Sequence, residues 1–402
     1  MSVSANEEAV ARIAATAPRL TGSILAREAL GLRDGELGHA GPPFEPGQTP
    51  PPTVLHALCG AAVHEGWARD GKTAAAMIAA GEIRLRANHE IGTVSPMAGV
   101  VRPGQRLFRI EDAASGTATF ATLAEKGRRV LRFGHYGPDV AAGLAFVEGP
   151  VADAIEAALP PGGLEIMPLI ARGVELGDDV HQRNIGGMFA FLGALAPLPG
   201  EIRDWLATHP QHVLNYAMAA AKLCLDRARG VARSGIVTAI TRNGIDCAIQ
   251  VAGLDGRWFR APASLPVGGF FPGFALADAH ADLGDSAIME AFGLGGCIAH
   301  GAPEIGRAMG RDWGESCAAG RAMRALFLDR QPHIAPALAG AEGVGLGLDA
   351  GRVVAAGADI RIHTGISHRD GQSGWIGIGV ASAPHAAFAA ALSALESADG
   401  QP

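Results

Sequence analysis

The sequence predicts an α+β protein in which two mixed α/β lobes flank a helical section. Short β-branched runs and helical stretches are mixed along the chain, rather than strictly alternating as they do in a doubly wound parallel sheet. The chain has 402 residues, beyond the size at which one hydrophobic core usually stops growing, so more than one lobe is expected. We place the lobes at residues 1–170 and 234–402 and the helical section at 171–233.

The elements of the N-terminal lobe follow from periodicity and from proline. Apolar residues at helical spacing predict helices over 6–15, 55–80 and 151–159. The proline-rich segment 41–52 cannot form regular structure and is predicted to be a loop. Short β-like runs predict strands within 83–101 and at 129–133, 144–147 and 164–170.

The remaining elements are predicted in the same way. Helices are expected from about 178 to 233, with breaks at Pro199 and Pro210. The Asn243-Gly244 pair between two β-branched runs indicates a hairpin with strands 236–240 and 246–251. Further on, the pattern predicts helices at 286–292, 316–327 and 386–395 and strands at 353–362 and 375–380.

Composition excludes several classes of function. The net charge is −7 and no basic stripe is visible, so nucleic-acid binding is not expected, although a cationic pocket for a small anion is compatible with an acidic protein. No signal peptide and no apolar span long enough for a membrane are found, so a cytoplasmic location is expected. The 5 cysteines lack C-x-x-C spacing and are interpreted as reduced thiols.

Four glycine-rich segments combine ionisable residues with sharp turns and are therefore candidate sites. In the first, at 88–99, His89 and Glu90 suit acid–base chemistry or metal binding, because histidine titrates near neutrality and a carboxylate orients it. An ordinary turn in which His89 caps backbone groups is the alternative.

The second segment, at 175–184, contains Asp179, His181, Arg183 and Asn184 after Asp178. The two aspartates suit the start of a helix, where the backbone dipole favours negative charge. That interpretation leaves the histidine, arginine and asparagine unexplained, so capping and function both remain open.

The third segment carries Arg242 and Asn243 at the expected hairpin tip, where an arginine can clamp a carboxylate or phosphate. Downstream, Asp285 and Ser286 resemble a helix N-terminus, which can also bind an anion. The fourth segment, at 363–374, places His368 among glycines that suit an oxyanion cradle. A solvated turn is the alternative in each case.

These segments resemble a bacterial family, formerly of unknown function, that includes a subunit of oxamate carbamoyltransferase. The matching text comprises ARGVELGDDVHQRN, LNYAMAAAKLCLD, VTAITRNGIDCAIQVAG, RWFRAPA, FFPGF, DLGDSAIMEAFGLGG and HTGISHRDGQSGWIGIG, and it extends in order over roughly residues 80–396. Two features depart from the family pattern: His363 stands where the last motif begins with asparagine, and Trp375 is additional. The region before residue 80 shows little that matches.

The resemblance implies carbamoyl transfer between oxalurate and phosphate, giving oxamate and carbamoyl phosphate, in a complex with partner subunits. Assembly with further copies of the same chain is expected as well or instead. The resemblance carries no catalytic residues with it, and no particular cofactor is indicated. From the chemistry alone, the anions favour Arg242 and then Arg183. Proton transfer is assigned to a histidine with an orienting carboxylate: His89, His181 or His368 with Glu90 or Asp179. Contacts with the substrate are assigned to Asn184, Asn243, Asp285 and Ser286. No residue is assigned as a metal ligand in this scheme.

Two other functions are considered. In the first alternative, the chain is a non-catalytic subunit that stabilises or regulates a partner. In the second, it is a metal-dependent amidohydrolase on a related ureido or amide substrate, with the ligands His89, Glu90, Asp178 and His181. The sequence also predicts that the site lies between the lobes, where pockets commonly form.

Overall fold

The computed structural model describes residues 4–334 and 343–399. Within these ranges helices and strands are mixed along the chain, and most strand pairs are antiparallel, which confirms the α+β class. The helices are α1 (Ala5–Ala14), α2 (Ala26–Leu30), α3 (Pro52–His64), α4 (Gly71–Ala79), α5 (Pro138–Phe146), α6 (Ala152–Ala158), α7 (Met167–Glu175), α8 (Ile185–Ala194), α9 (Gly200–Ala207), α10 (Gln211–Asp226), α11 (Ile288–Ala291), α12 (Pro303–Ala308), α13 (Trp313–Arg324), α14 (Ala350–Ala356) and α15 (His385–Asp399).

The strands form several small sheets rather than one large one. They are β1 (Arg19–Leu25), β2 (Glu36–His39), β3 (Arg84–Ala87), β4 (Thr93–Val94), β5 (Val100–Val101), β6 (Arg106–Asp112), β7 (Thr117–Ala121), β8 (Leu164–Glu165), β9 (Val237–Asn243), β10 (Asp246–Val251), β11 (Phe259–Pro262), β12 (Val267–Phe270), β13 (Leu283–Gly284), β14 (Phe327–Arg330), β15 (Gly345–Leu348), β16 (Ile360–Ser367) and β17 (Trp375–Ala383).

Three sheets carry the residues discussed below. The first has the order β4-β7-β6-β1-β8, with only β4 and β7 parallel. The second, β11-β10-β9-β13, contains the predicted hairpin with Gly244 at φ 85°, a turn conformation that favours glycine. The third, β12-β17-β16, is antiparallel throughout.

Helix α10 forms the centre of the main hydrophobic core. Residues 212–225 of this helix are all buried, and the core around them extends from Ala9 in α1 to Leu395 in α15. A second core joins α3 and α4 to residues 130–144 and to Leu283. The proposed boundaries at 170 and 233 stay a prediction.

Several predicted elements were wrong in type. Residues 129–133 form a short 3-10 turn (Leu131–Phe133), and 144–147 continue α5 into a π-helical turn containing Pro150. The predicted strand 164–170 is a two-residue strand followed by α7, and 353–356 belong to α14. In each case apolar residues that were taken for a strand instead form the buried face of a short helix or turn, because period alone does not separate short apolar runs.

The start of the helical section was also wrong. Residues 178–184 form a turn, and α8 begins only at Ile185, because the Asp178 carboxylate accepts hydrogen bonds from the N–H groups of Ile185 (3.1 Å) and Gly187 (2.8 Å). Asp178 therefore caps α8 from outside it, and neither Asp178 nor His181 lies on a helix. No helix in the described residues is long and apolar enough to cross a membrane.

Candidate functional site

A cavity of about 350 Å³ opens where segments from most of the chain converge. The loop after β7, the α9–α10 turn, the loop before α8 and the strands β16 and β17 all contribute to its wall. The volume is typical of small-molecule sites. Its lining residues among the described part of the chain include no aspartate or glutamate: Pro96, Met97, Lys126, Gly127, Arg128, Arg132, Phe133, His181, Gln182, Thr208, His209, Gln211, Leu214, Ser286, Gly365 and Trp375.

His181 is the predicted site residue that reaches this cavity with a titratable group. Its Nδ1 lies 2.8 Å from Oε1 and 2.9 Å from Oε2 of Glu290, a fully buried residue of α11. Because Nδ1–H donates to this carboxylate, Nε2 carries the lone pair. The Glu290 carboxylate is itself held by the N–H of Gly296 (2.9 Å) and of His363 (3.1 Å). The imidazole is therefore fixed in orientation and tautomer.

Asp179 organises the loop that carries His181. Its Oδ1 accepts the backbone N–H groups of His181 (3.0 Å), Gln182 (2.9 Å) and Arg183 (2.8 Å), and its Oδ2 lies 2.7 Å from Nδ1 of His363. Burial alone would raise the pKa of Asp179, but the His363 hydrogen bond and charge, with the backbone donors, lower it below its ordinary value. Two histidine–carboxylate pairs thus lie side by side.

Backbone strain accompanies this arrangement. Val180, between Asp179 and His181, has φ 59°, and Met97 in the cavity wall has φ 55°. A β-branched residue rarely adopts this left-handed conformation, which costs on the order of 1–3 kcal/mol and persists only where the surroundings enforce it. Here the three N–H groups gathered on Asp179 enforce it. Strain of this kind is typical of positioned functional loops.

Three cations give the cavity its electrostatic character. Lys126 and Arg128 lie exposed at its rim. Lys126 donates to Thr208 Oγ1 (2.5 Å), and the Arg128 guanidinium lies over the Phe271 ring.

Arg132 lies deeper than these two cations. Its guanidinium forms no hydrogen bond or ion pair with any described residue, and its one close partner is the Phe133 ring, 5.2 Å from the guanidinium carbon. Burial lowers the pKa of Arg132, opposed by the charge of Glu125. A desolvated cation without an acceptor is a binding element for an anion.

The base of the cavity is a small amide network. Gln211 donates to the backbone carbonyl of Gln182 (2.7 Å) and accepts from the predicted residue Asn184 (3.2 Å), which also donates to the carbonyl of His181 (3.3 Å). Ser286, another predicted residue, lines the cavity with its neighbour Asp285 behind it. Asn184 thus supports the loop, and Ser286 faces the space where a ligand would lie.

Arg242 and Asn243 lie in a different environment. Arg242 is fully buried in β9 rather than at the hairpin tip; its Nε donates to Asp282 (2.7 Å) and its Nη1 to the Gly284 carbonyl (2.6 Å). Burial would lower the pKa of Arg242, but the Asp282 charge raises it. Asn243 caps the hairpin by accepting the N–H groups of Ile245 and Asp246. Neither residue lines the cavity.

Asp285 joins this interior cluster. Its carboxylate accepts from Thr241 Oγ1 (2.6 Å), from the N–H groups of Gly41 (2.8 Å) and Ser95 (2.9 Å), and from Asn88 (3.2 Å). His89 is also buried, with Nε2 3.7 Å from Asp285 Oδ1. Burial raises the pKa of Asp285 and lowers that of His89 well below its ordinary value.

The other predicted residues are separated from the cavity. Glu90 lies at the surface and accepts from the Trp258 indole (3.0 Å), and Arg183 donates to the Gly177 carbonyl (3.2 Å). His368 accepts the N–H of Asp370 (3.0 Å) in the β16–β17 connection. No group of three or more His, Cys, Asp or Glu residues in the described ranges is arranged to hold a metal ion.

Sequence reasoning missed several residues that line or build the cavity: Lys126, Arg128, Arg132, His209, Gln211, Glu290 and His363. The run Lys126-Gly127-Arg128-Arg129 was a usable signal, because a basic cluster with glycine between apolar segments suits an anion loop. His363, which departs from the family pattern, does not line the cavity but joins the two carboxylates behind its wall, with its N–H on Glu290 and its Nδ1 beside Asp179.

Comparisons with known proteins agree with one family. The model of the family "Oxamate carbamoyltransferase subunit AllG" matches residues 83–286. The protein of that name from Escherichia coli K12 is 36% identical over 383 residues, which cover 92% of this chain and 91% of that protein. The uncharacterized protein YahG of the same organism is 31% identical over 403 residues, covering 96% of this chain and 84% of that one.

A solved structure gives the same result for the fold. The crystal structure of a conserved protein of unknown function from Enterococcus faecalis V583 superimposes with a TM-score of 0.92 at 31% identity, covering 98% of this chain and 97% of that one. The similarity spans the region before residue 80, which sequence motifs alone did not match. The family resemblance is confirmed, and the chain belongs to the oxamate carbamoyltransferase subunit AllG family.

Proposed function

We propose that the cavity binds oxalurate and phosphate and transfers the carbamoyl group between them, giving oxamate and carbamoyl phosphate. The observation that carries the proposal is the combination of an acid-free cationic cavity with a histidine whose Nε2 lone pair is held toward it. Oxalurate and phosphate are both anions, and the ureido nitrogen of oxalurate that becomes the amide of oxamate must gain a proton during the reaction. The cavity supplies cations for the first need and an acid–base group for the second.

Arg132 is the main anion partner in this proposal. Its guanidinium has no acceptor among the described residues, so a carboxylate or phosphate would satisfy donors that are otherwise desolvated. Lys126 and Arg128 at the rim attract the second anion and raise its local concentration. Arg242, our first choice from the sequence, has its donors directed at Asp282 and Gly284 and takes a structural role instead.

His181 transfers the proton. As phosphate oxygen attacks the carbamoyl carbon, Nε2 accepts the phosphate proton, and the imidazolium then donates it to the departing nitrogen, so that oxamate leaves with its NH₂ group complete. Glu290 stabilises the transient imidazolium, as a carboxylate behind a catalytic histidine does. The Ser286 hydroxyl lines the same space and is assigned to the carbonyl oxygen on which charge develops.

The chain is proposed to act with other subunits in the cytoplasm. The Escherichia coli relative is described as a subunit of its enzyme, and we extend that organisation to this chain. Its own cavity would then bind the small anions while partner subunits complete the active complex.

The proposal is tested by turnover of the purified chain, alone and with its partner subunits. Oxalurate with phosphate is expected to yield oxamate and carbamoyl phosphate in equal amounts. If the complex turns over equally well with Arg132→Met and His181→Gln in this chain, the chain is a non-catalytic subunit and the proposal fails. Release of oxamate without phosphate, at the same rate, would instead identify an amidohydrolase.

A further inference from the structure

A second, smaller polar void of about 30 Å³ lies behind Arg132. Arg132 and Pro96 line both this void and the large cavity, so the two residues lie between them. On the far side lies Glu125, which is only 8% exposed. The anion partner proposed above therefore has a buried carboxylate behind it, in a space about large enough for one water molecule.

Glu125 also fixes the turn that carries Arg132. Its Oε1 accepts the backbone N–H of Leu131 at 2.8 Å, at the start of the 3-10 turn Leu131–Phe133. The backbone N–H of Arg132, like that of Leu131, is directed at the Glu125 carboxylate. No hydrogen bond or ion pair within 4.0 Å joins the carboxylate to the Arg132 guanidinium, so the two charges interact through space. The guanidinium is thus held near a counterion but left free for a ligand.

The charges around Glu125 are unevenly balanced. Arg102 and Arg132 are the cations that face it, and Arg102 is already bound to Glu65 (2.9 Å) and to Glu148. Two guanidinium groups therefore serve three carboxylates in this buried set. Lys126, the next residue, lies exposed at the rim.

The helix packed against Glu125 adds no further charge. Burial lowers the pKa of His209 to about 2 and that of His212 to about 4, so both are neutral near pH 7. Asn215 and Thr122, which also line the void, are uncharged. When all three carboxylates are ionised the set carries one net negative charge, and an anion entering beside Arg132 adds to it. Burial raises the pKa of Glu148 as well, but its carboxylate is bonded to Arg102, whereas Glu125 has no guanidinium bonded to it.

We propose that Glu125 is a proton-coupled counterion of Arg132, which takes up a proton from solvent when a carboxylate or phosphate binds and releases it when the anion leaves. The ionised carboxylate neutralises Arg132 in the empty cavity, and protonation transfers that cation to the ligand. The inference rests on the proposed function in that Arg132 is the anion's partner. It makes Glu125 a positioning residue that tunes affinity without touching the substrate.

Burial supports this assignment by raising the pKa of Glu125 above its ordinary 4.5, against the lowering effect of Arg132 and of the Leu131 N–H. Bringing a second negative charge within the same low-dielectric region raises it further. Between the pKa of the free and of the bound protein, each bound anion then takes up close to one proton, and affinity falls by about tenfold per pH unit as pH rises.

Calorimetry with oxamate tests the proposal, because the oxamate carboxylate does not titrate near neutrality. Binding is measured for the full chain in buffers of different ionisation enthalpy between about pH 5 and pH 9, the range in which a buried carboxyl can titrate. The wild type is expected to take up protons, and Glu125→Gln is expected to lose the uptake and the pH dependence while binding oxamate more tightly at high pH. The glutamine keeps an acceptor for the Leu131 N–H, and Glu165→Gln, in an exposed ion pair with Arg19, is the matched control.

Three results would overturn the inference. Oxamate binding by the wild type without proton uptake excludes it and needs no variant. Uptake that persists in Glu125→Gln assigns the proton to another group, such as His181. A folded Glu125→Gln that no longer binds oxamate shows that the carboxylate charge is needed to hold Arg132 in place.

A second probe separates this inference from the proposed function. Sulfate is a non-titrating dianion near neutrality and has none of oxamate's amide chemistry. Proton uptake with sulfate that disappears in Glu125→Gln, in a protein that neither binds oxamate nor turns over oxalurate, supports the coupling and contradicts the function. Oxamate binding and oxalurate turnover without proton uptake would support the function and contradict the coupling.

Discussion

Two buried polar clusters lie close together in this protein, and they differ in where their polar atoms are directed. Around Arg242 and Asp285, most donors and carboxylates are matched with groups of the protein itself: Asp285 alone accepts four different donors, and the exceptions are Nε2 of His89 and Oδ1 of Asn88, which have no hydrogen-bond partner among the described residues. Around His181, two carboxylates hold two imidazoles by their Nδ1 atoms, and the other nitrogen of His181 is left for the cavity. The first cluster joins β9, β13 and the loops beside them, whereas the second presents His181 to the cavity.

The difference teaches that glycine-rich polar segments of similar composition take opposite roles. Internal satisfaction of the polar atoms, rather than their type, separates a structural network from a binding site. Arg242, which is fully buried, and Arg132, which is half-buried, show this most clearly, because only Arg242 has a carboxylate bonded to it. The comparison can be broken or sharpened by matched substitutions in the two clusters.

The largest effect is expected for the two histidines. His181→Gln is expected to lower kcat by about 10²–10⁴-fold, because a positioned acid–base group contributes that much. His89→Gln, in the interior cluster, is expected to leave kcat near the wild-type value and to lower the melting temperature. Steady-state kinetics of the assembled enzyme and thermal unfolding of the chain measure both. Equal losses of kcat would show that the division into two clusters is wrong.

For the two arginines, we expect the interior residue Arg242 to matter more for stability and the cavity residue Arg132 to matter more for binding. Arg242→Met leaves Asp282 buried without its partner and is expected to cost about 3–5 kcal/mol of unfolding free energy. Arg132→Met breaks no bond to a described residue and is expected to cost about 1 kcal/mol or less. It should instead weaken oxamate binding by about ten- to a hundredfold, the loss of one charge-assisted hydrogen bond or two. Urea unfolding and calorimetry of the two variants decide the matter, and a destabilised Arg132→Met with unchanged affinity would contradict it.

The fold class and the hairpin could be predicted from the sequence because their signals are local. Asn243-Gly244 sets its own turn, and Pro199 and Pro210 interrupt the helical section, each standing just before the helix that follows. The strand predicted at 129–133 failed because the carboxylate of Glu125, six residues before Leu131, accepts the Leu131 N–H and fixes a turn there. The helix expected at 178 failed because Asp179 gathers the backbone around itself.

The candidate site was predictable only in part, for a related reason. His181 and Ser286 were named from their neighbourhood in the sequence, and both line the cavity. Their partners were not, because Glu290 is 109 residues from His181, and His363 is 184 residues from Asp179. Pairing across such distances depends on the packing of β16 against α11, which no local pattern encodes.

A matched pair of glycines tests the geometry around Glu290. Gly295 and Gly357 have nearly the same backbone conformation, φ 57° and 56°, so alanine costs about 1–2 kcal/mol of left-handed strain at either. At Gly295 the new Cβ would lie 2.0 Å from Glu290 Oε1, whereas at Gly357 nothing lies within 4 Å.

Gly295→Ala is therefore expected to move Glu290 and to lower kcat by about tenfold or more, the loss expected when an orienting group behind a catalytic one shifts. Gly357→Ala should reduce only the unfolding free energy. Kinetics and urea unfolding of both variants check this. A Gly357→Ala enzyme as slow as Gly295→Ala would attribute the effect to strain alone.

The smallest expected effect is a difference in the sign of pH dependence between the two clusters. Asp179 has a lowered pKa, so the folded protein binds fewer protons than the unfolded chain around and below the ordinary value of 3.8. Its contribution to stability is present above that pH and is lost as pH falls through the folded pKa. Asp285 has a raised pKa, so the folded protein retains its proton to higher pH than the unfolded chain. Its contribution is present below 3.8 and is lost as pH rises through the folded pKa.

The unfolding free energy of the wild type and of each Asn variant is measured by urea unfolding at a series of pH values. The difference between wild type and variant, plotted against pH, isolates these slopes, each at most about 1.4 kcal/mol per pH unit. The difference for Asp179→Asn should rise with pH at the acid end, and that for Asp285→Asn should fall from 3.8 upward. Asp34→Asn, at an exposed carboxylate, should show almost no slope. Because the slopes come from proton linkage, a loss of unfolding free energy that the new amide causes equally at every pH does not change them. Two slopes of the same sign would mean that both carboxylates sit in equivalent surroundings, and the distinction between an internally satisfied cluster and a ligand-facing one would no longer hold for their acids.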